Sequence, residues 1–357
     1  MGWRSVRDMD TGCPKRLVNG PCGGMDTNGR CEVDGRPCPY TKLLKEKPEV
    51  LETPMLAPGF VEKQVDLDIR AYSPLMKKLV EGNRKPVIVE LEPSRRGHGR
   101  RLIDQAMPFK GLVDAYSITD NPLGRVQADP VAAAGFLRLN GFDDDILLHV
   151  SCKDRNRAGL TSLVTGALWL DVKNFLALTG DWPGFMGGPH VKPVFDLDSV
   201  RLIYMLRLLR DYNLDYMGGK IKEVPGFNIA GAFNPYTLMD TEVRRLKAKR
   251  RAGMEFIVTQ PIFSEGTLSK IKRAREEALL ADIPVVASLM LIRNEWDAGV
   301  VRKHFHVEPG FTGDPVEAFD KLFQSIYSSD LVDGVLVVFA GDWNYAPLIA
   351  SILKKYL

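Results

Sequence analysis

Residues 86–99 read PVIVELEPSRRGHG, and this stretch decides between the two folds that the rest of the chain allows. PVIVEL is short, continuously apolar and rich in β-branched residues, the pattern of a strand buried on both faces in a parallel sheet. Seven similar runs follow: LVDAYSIT (112–119), ILLHVSC (146–152), FLALTG (175–180), GFNIAGA (226–232), EFIVTQ (255–260), PVVASL (284–289) and GVLVVFA (334–340). Helical segments lie between them. Leu202, Met205, Leu206 and Leu209 form an i, i+3, i+4, i+7 stripe, as do Ile349, Ile352, Leu353 and Tyr356. Asp129-Pro130 reads as an N-cap followed by proline at the first helical position, and Ser264 reads as the cap of the helix after the sixth strand. Alternating strands and helices build either a doubly wound sheet or a barrel. The doubly wound sheet usually carries a glycine-rich phosphate loop after its first strand, and VELEPSRRGHG has no such loop. Eight units match a (β/α)8 TIM barrel of the α/β class, expected over residues 70–357.

The chain has 357 residues, 45% hydrophobic and 26% charged, which suits a water-soluble protein with one large domain and a small appendage. MGWRSVRDMD at the start has no apolar core of a secretory signal. No run of about 18 uncharged apolar residues suggests a membrane span. A cytoplasmic location is the default expectation. A net charge of +3 is too small to imply nucleic acid as a partner.

Four of the five cysteines, Cys13, Cys22, Cys31 and Cys38, fall early in the chain with spacing C-x8-C-x8-C-x6-C. Thiols so close together, interrupted by Gly-Pro and Gly-Gly turns, suit structural zinc or a [4Fe–4S] cluster, and the spacing leaves both open. The segment is too short and polar to bury a core alone, so it needs a metal or a docking surface. The expected organisation is a cysteine-rich module at 1–45, a proline-bearing linker at 46–69 that wraps onto the next domain, and the barrel.

Barrel active sites form at the C-terminal ends of the strands. Read in order, those ends offer Glu90 with Glu92, Thr119 with Asp120, His149 with Cys152, then Asp181, Asn228, Gln260 and Asp342. No His-His-carboxylate set appears there and no Gly-x-Ser-x-Gly elbow, which favours an organic cofactor with acid–base chemistry. VELEP, SIT, LLHVSC, ALTGDWP and IVTQPIF together resemble the methylenetetrahydrofolate reductase family, with GDWP and TQPIF the most specific parts. Separately, CPK-x-L-x-NGPCGG…G-x-CEV resembles the cysteine-rich module associated with such reductases in acetogenic and other anaerobic microbes.

The resemblance implies a flavin, FMN or FAD, in the barrel mouth and hydride transfer from its N5 to the methylene carbon of a reduced pterin. Glu90 matches the general acid, Asp181 the carboxylate beside the flavin, and Gln260 the amide that reads the pterin. Thr119, His149, Glu242 and Lys249 fall at flavin-contacting positions, and Phe233 stands where relatives often place tyrosine, so only packing carries over. An ion pair with Arg95 or Arg96 is the structural alternative for Glu90. Two departures stand out: Leu91 and Glu92 replace aromatics, and the region of Asp342 lacks a folate-contacting arginine. The latter makes methylene-tetrahydromethanopterin an alternative substrate. NADH, reduced deazaflavin and ferredoxin are the candidate donors, and a homo-oligomer or redox complex is the expected assembly. A methyltransferase acting on a corrinoid and a catalytically idle electron-relay subunit are the competing readings.

Overall fold

The structure is a computed structural model describing residues 4–5, 12–46, 55–56, 59–184, 190–278, 280–309, 313–339, 341 and 343–357. Asp342 lies outside them. Eight parallel strands close into a barrel: β1 (Val87–Leu91), β2 (Ala115–Ile118), β3 (Asp145–Ser151), β4 (Asn174–Leu178), β5 (Asn228–Phe233), β6 (Phe256–Thr259), β7 (Val285–Met290) and β8 (Gly334–Val338). Each strand pairs with its sequence neighbour, and β8 returns to β1 with Val335 opposite Val87. The TIM barrel expected from the repeat is therefore the fold.

Period-two alternation divides each strand between two cores. Ile88, Ala115, Leu147, Leu176, Ala230, Phe256, Val286 and Leu336 fill the barrel, and Leu75, Met76 and Leu79 close its floor. Those three come from a helix at Pro74–Glu81 capped by the Ser73 hydroxyl, which accepts from Met76 N. Val87, Val89, Tyr116, Leu148, Phe175, Ile229 and Val335 face outward into the helix layer.

Several helical details differ from the sequence reading. Asp129 caps the helix Pro130–Leu139 as expected, its carboxylate accepting from Val131 N at 2.8 Å. Ser264 makes no side-chain cap; it precedes a 3-10 turn, Glu265–Thr267, and its carbonyl accepts from Thr267 N. The helix Ser199–Tyr212 is buried almost all round rather than along one stripe. The segment from 59 to 70 covers its outer side: Tyr204 Oη accepts from Lys63 N at 2.7 Å and donates to Val61 O at 3.1 Å. The last helix ends at Leu353, so Tyr356 lies beyond it and packs on Phe323 with ring centroids 5.0 Å apart.

Asn228, expected at the mouth, is the first residue of β5 and so lies at the floor. There its amide accepts from Tyr72 N at 3.0 Å and donates to Arg70 O. Beside it Glu255 is buried, receives Arg210 Nη1 at 2.8 Å and Ile229 N at 2.9 Å, and has Arg207 at 3.7 Å. Removing one partner of a buried ion pair leaves the others uncompensated, at a cost of about 3–5 kcal/mol. Glu255→Ala is expected to lower unfolding free energy by about that amount in urea titration; a loss of a few tenths would show that the pair is dispensable.

Candidate active site

The same alternation that fills the barrel with aliphatic side chains turns polar at its upper end. Two residues beyond Ile88, Ala115, Leu147 and Val286 stand Glu90, Ser117, His149 and Ser288, and Gln260 follows Val258. Glu90 lies opposite Ser117 in the strand register. His149 Nε2 is 2.8 Å from Ser117 Oγ and 3.9 Å from Glu90 Oε2. Burial holds His149 down to about 4, so the ring is neutral at pH 7. Burial first, and then the neighbouring Glu92, pushes Glu90 up to about 8. The contact is thus between a neutral imidazole and a protonated carboxyl, not an ion pair. Neither Arg95 nor Arg96 forms an ion pair with Glu90 among the described residues.

Gln260 N donates to Phe233 O at 2.7 Å, which ties the end of β6 to β5. Thr119 Oγ1 donates to Gln127 Oε1 at 3.1 Å. Asp120 Oδ2 accepts from Ser151 N at 3.0 Å and Arg155 Nη1 at 2.7 Å, while its other oxygen is buried with no hydrogen-bond partner. Cys152 is fully buried, and burial raises its thiol well above its ordinary value.

Asp181 follows Gly180, whose φ of +90° is the left-handed conformation that glycine favours. A Cβ at Gly180 would meet Ser151 Oγ at 2.2 Å, so the turn also needs the absent side chain. Asp181 Oδ2 accepts from Leu123 N at 2.7 Å, holding a loop in which Asn121 and Leu123 both have positive φ. Burial raises the Asp181 carboxyl, Glu32 adds to this, and Lys15 opposes it. Glu32 and Lys15 both come from the cysteine-rich segment.

Three further residues expected at the cofactor pack or pair within the protein. Phe233 points outward into the helix layer at 1% exposure, which leaves it only a packing role. Lys249 lies on the outer face of β5, where its ammonium donates to Ala232 O and burial, with Arg245 adding, lowers it to about 7. Glu242 is fully buried, accepts from Asn234 N at 2.9 Å and pairs with Arg245. The strand ends predict Glu90, Thr119, His149, Asp181 and Gln260 at the mouth. Ser117 and Ser288 were missed, although counting by twos from the apolar interior finds both.

The cysteine-rich segment seats on the β4–β5 side of the mouth. Asn19 Nδ2 donates to both carboxylate oxygens of Asp198 at 3.1 and 2.9 Å, and Asn234 Nδ2 donates to Gly23 O at 2.5 Å. Cys13 and Cys31 neighbour Cys38, whereas Cys22 Sγ donates to Glu32 Oε1 at 3.5 Å. Backbone N–H groups of Val33 and Asp34 point at the Cys31 sulfur. Among the described residues, no three Cys, His, Asp or Glu side chains converge as a metal ion requires. In this arrangement the four thiols therefore do not fit one zinc or one cluster. The described residues also contain no helix long and apolar enough to cross a membrane.

Comparison with known structures gives low-identity matches. A 2,3-dimethylmalate lyase of the PEP mutase/isocitrate lyase superfamily is 12% identical with a TM-score of 0.44, over 78% of this chain and 80% of that one. An oxaloacetate acetylhydrolase with bound oxalate is 12% identical with a TM-score of 0.47, over 80% and 86%. No curated protein matches. A family model described as methylene-tetrahydrofolate reductase C terminal matches residues 8–60, at the front of this chain. A second, described as methylenetetrahydrofolate reductase, matches residues 76–308, most of the barrel, and the chain belongs to the methylenetetrahydrofolate reductase family.

Proposed function

We propose that this chain, an oxidoreductase acting on CH–NH donors, reduces a 5,10-methylene-tetrahydropterin, with methylenetetrahydrofolate the first candidate, to its 5-methyl form. The observation that carries this reading is Glu90: a half-buried carboxyl at the C-terminal end of β1, beside His149 and raised by burial and by Glu92, that keeps its proton at neutral pH. Opening the five-membered ring of the substrate needs a proton on the bridging nitrogen, and an acid with a pKa near the working pH is suited to supply it.

Members of this family bind flavin, which when bound would supply the hydride. The residues at the mouth fit such a ligand in part. Thr119 and His149 reach its inner wall, and Asp120 holds one buried oxygen with no hydrogen-bond partner. Glu242 and Lys249 are turned toward Asn234 N and Ala232 O. Asp181, at the end of β4, supplies negative charge near cationic character developing on the pterin. Gln260 both donates and accepts, which matches the edge of a pterin ring. FMN or FAD as the flavin, tetrahydromethanopterin as the alternative substrate, and NADH, deazaflavin or ferredoxin as donor are alternatives within this reading. A cytoplasmic homo-oligomer or redox complex belongs to it as well.

Glu90→Gln is expected to lower kcat for methylenetetrahydrofolate reduction about 10²–10⁴-fold. Wild-type kcat/KM is expected to fall as pH rises through about 8, where the Glu90 proton is lost, and the variant to lack that limb. Unchanged turnover in the variant would eliminate Glu90 as the acid. The linkage to stability has the same sign. The folded carboxyl keeps its proton up to about pH 8, whereas the unfolded one releases it near 4.5, so wild-type stability declines across that window. Urea titrations at pH 5 and pH 9 should show a smaller decline in Glu90→Gln.

Anaerobically purified protein is expected to show flavin absorption bands that bleach on reduction. A colourless protein would favour methyl transfer to a corrinoid. Metal analysis of the same sample tests whether Cys13, Cys22, Cys31 and Cys38 bind iron or zinc; a metal-free protein would leave docking on the barrel as the segment's means of staying folded.

A further inference from the structure

Lys15 belongs to the cysteine-rich segment, yet its ammonium ends at the barrel mouth. The side chain is 2% exposed, donates to Gly180 O at 2.9 Å and pairs with Glu32. It also lies over the Phe195 ring, 5.3 Å from the centroid. Lys and Glu are seldom fully buried unless paired, and the pairing here is specific. Gly24 makes room for it, because a Cβ there would fall 1.9 Å from the Glu32 carboxyl. The carbonyl that Lys15 grips belongs to the residue directly before Asp181, in a turn with positive φ. Asp181 in turn holds Leu123 N at 2.7 Å.

We infer that Lys15 and Glu32 are positioning residues of the active site: the cysteine-rich segment reaches into the barrel mouth and fixes the Gly180–Asp181 turn from outside the barrel. The chain of contacts runs Glu32 to Lys15 to Gly180 O, and through Asp181 to the 121–124 loop. They act through the turn, holding Asp181 in place at the mouth. Small displacements of such a group are costly, since a shift of about 1 Å can reduce a rate about 10²-fold. The inference rests on the proposed reduction for its catalytic part and on geometry alone for its structural part.

The experiment pairs a kinetic readout with one that needs no activity. Lys15→Met would strand the Glu32 carboxylate, so the double variant Lys15→Met/Glu32→Gln is the informative one, with Lys15→Gln retaining a donor for Gly180 O. In the double variant, kcat for methylenetetrahydrofolate is expected to fall about 10–100-fold with KM little changed, with Lys15→Gln intermediate. Amide hydrogen exchange should quicken at Leu123, which neither Lys15 nor Glu32 contacts, while the floor around Asn228 and Glu255 keeps its protection. Wild-type exchange at Leu123 in the double variant would overturn the inference, as would unchanged kcat. A wild-type protein inactive on methylenetetrahydrofolate, with the exchange effect present, would overturn the proposed activity and support the link from Lys15 to Asp181.

Discussion

Closure of the barrel is the constraint on which the rest depends. Once β8 pairs with β1, no strand has a free edge, and every second side chain must enter a space that water does not fill. In the lower part of that space the chain places Ile88, Ala115, Leu147 and Leu336, and the helix at Pro74–Glu81 supplies Leu75 and Met76 as a floor. At the upper end, the same geometric demand falls on Glu90, Ser117, His149 and Ser288. Their chemistry follows from where the alternation puts them.

An ionised carboxylate and an imidazolium at that position would both be poorly solvated, and their attraction would have to offset two desolvation penalties. The alternative state is neutral on both sides: His149 is hydrogen-bonded to Ser117, and Glu90 retains its proton. Burial thus produces an acid without any dedicated cation. Asp181 is treated differently. Burial, with Glu32 adding, raises it, while the Lys15 and Lys153 ammonium groups and the Leu123 N–H pull the other way. Two carboxyls at one mouth are thereby held in unlike surroundings, both raised by burial but only Asp181 with cations beside it.

The parts legible in the sequence were those set by local period. Eight apolar runs gave the barrel, and counting to their ends gave Glu90, Thr119, His149, Asp181 and Gln260. Asn228 does not belong with the strand ends: it is the first residue of β5, opposite Asn174, the first of β4, so its place early in GFNIAGA already puts it at the floor. Glu242 and Lys249 sit on a helix whose buried side is polar, and linear sequence does not reveal whether such a side faces the barrel mouth or the back of a strand. Ser264 failed as a cap because a 3-10 turn precedes the helix and uses its carbonyl instead. No local pattern marks Lys15, since its partners Gly180 and Glu32 are distant in sequence and meet it only after docking.

That docking also changes the meaning of the cysteine-rich segment. Four thiols near the start of a chain suggest a self-contained metal module, which would need only tethering. Here the segment spends its polar groups on the barrel instead: Asn19 on Asp198, Gly23 O on Asn234 and Lys15 on Gly180. Asp198 caps the helix Ser199–Tyr212, and Asn234 leads out of β5, so the contacts fall on the loops that shape one side of the mouth. Cys22 joins the same cluster by donating to Glu32. A segment with almost no core of its own gains stability from the barrel, and the barrel gains a second buried cation near Asp181, Lys15, beside its own Lys153. Each part completes the other, which is a physical reason for the two to travel in one chain.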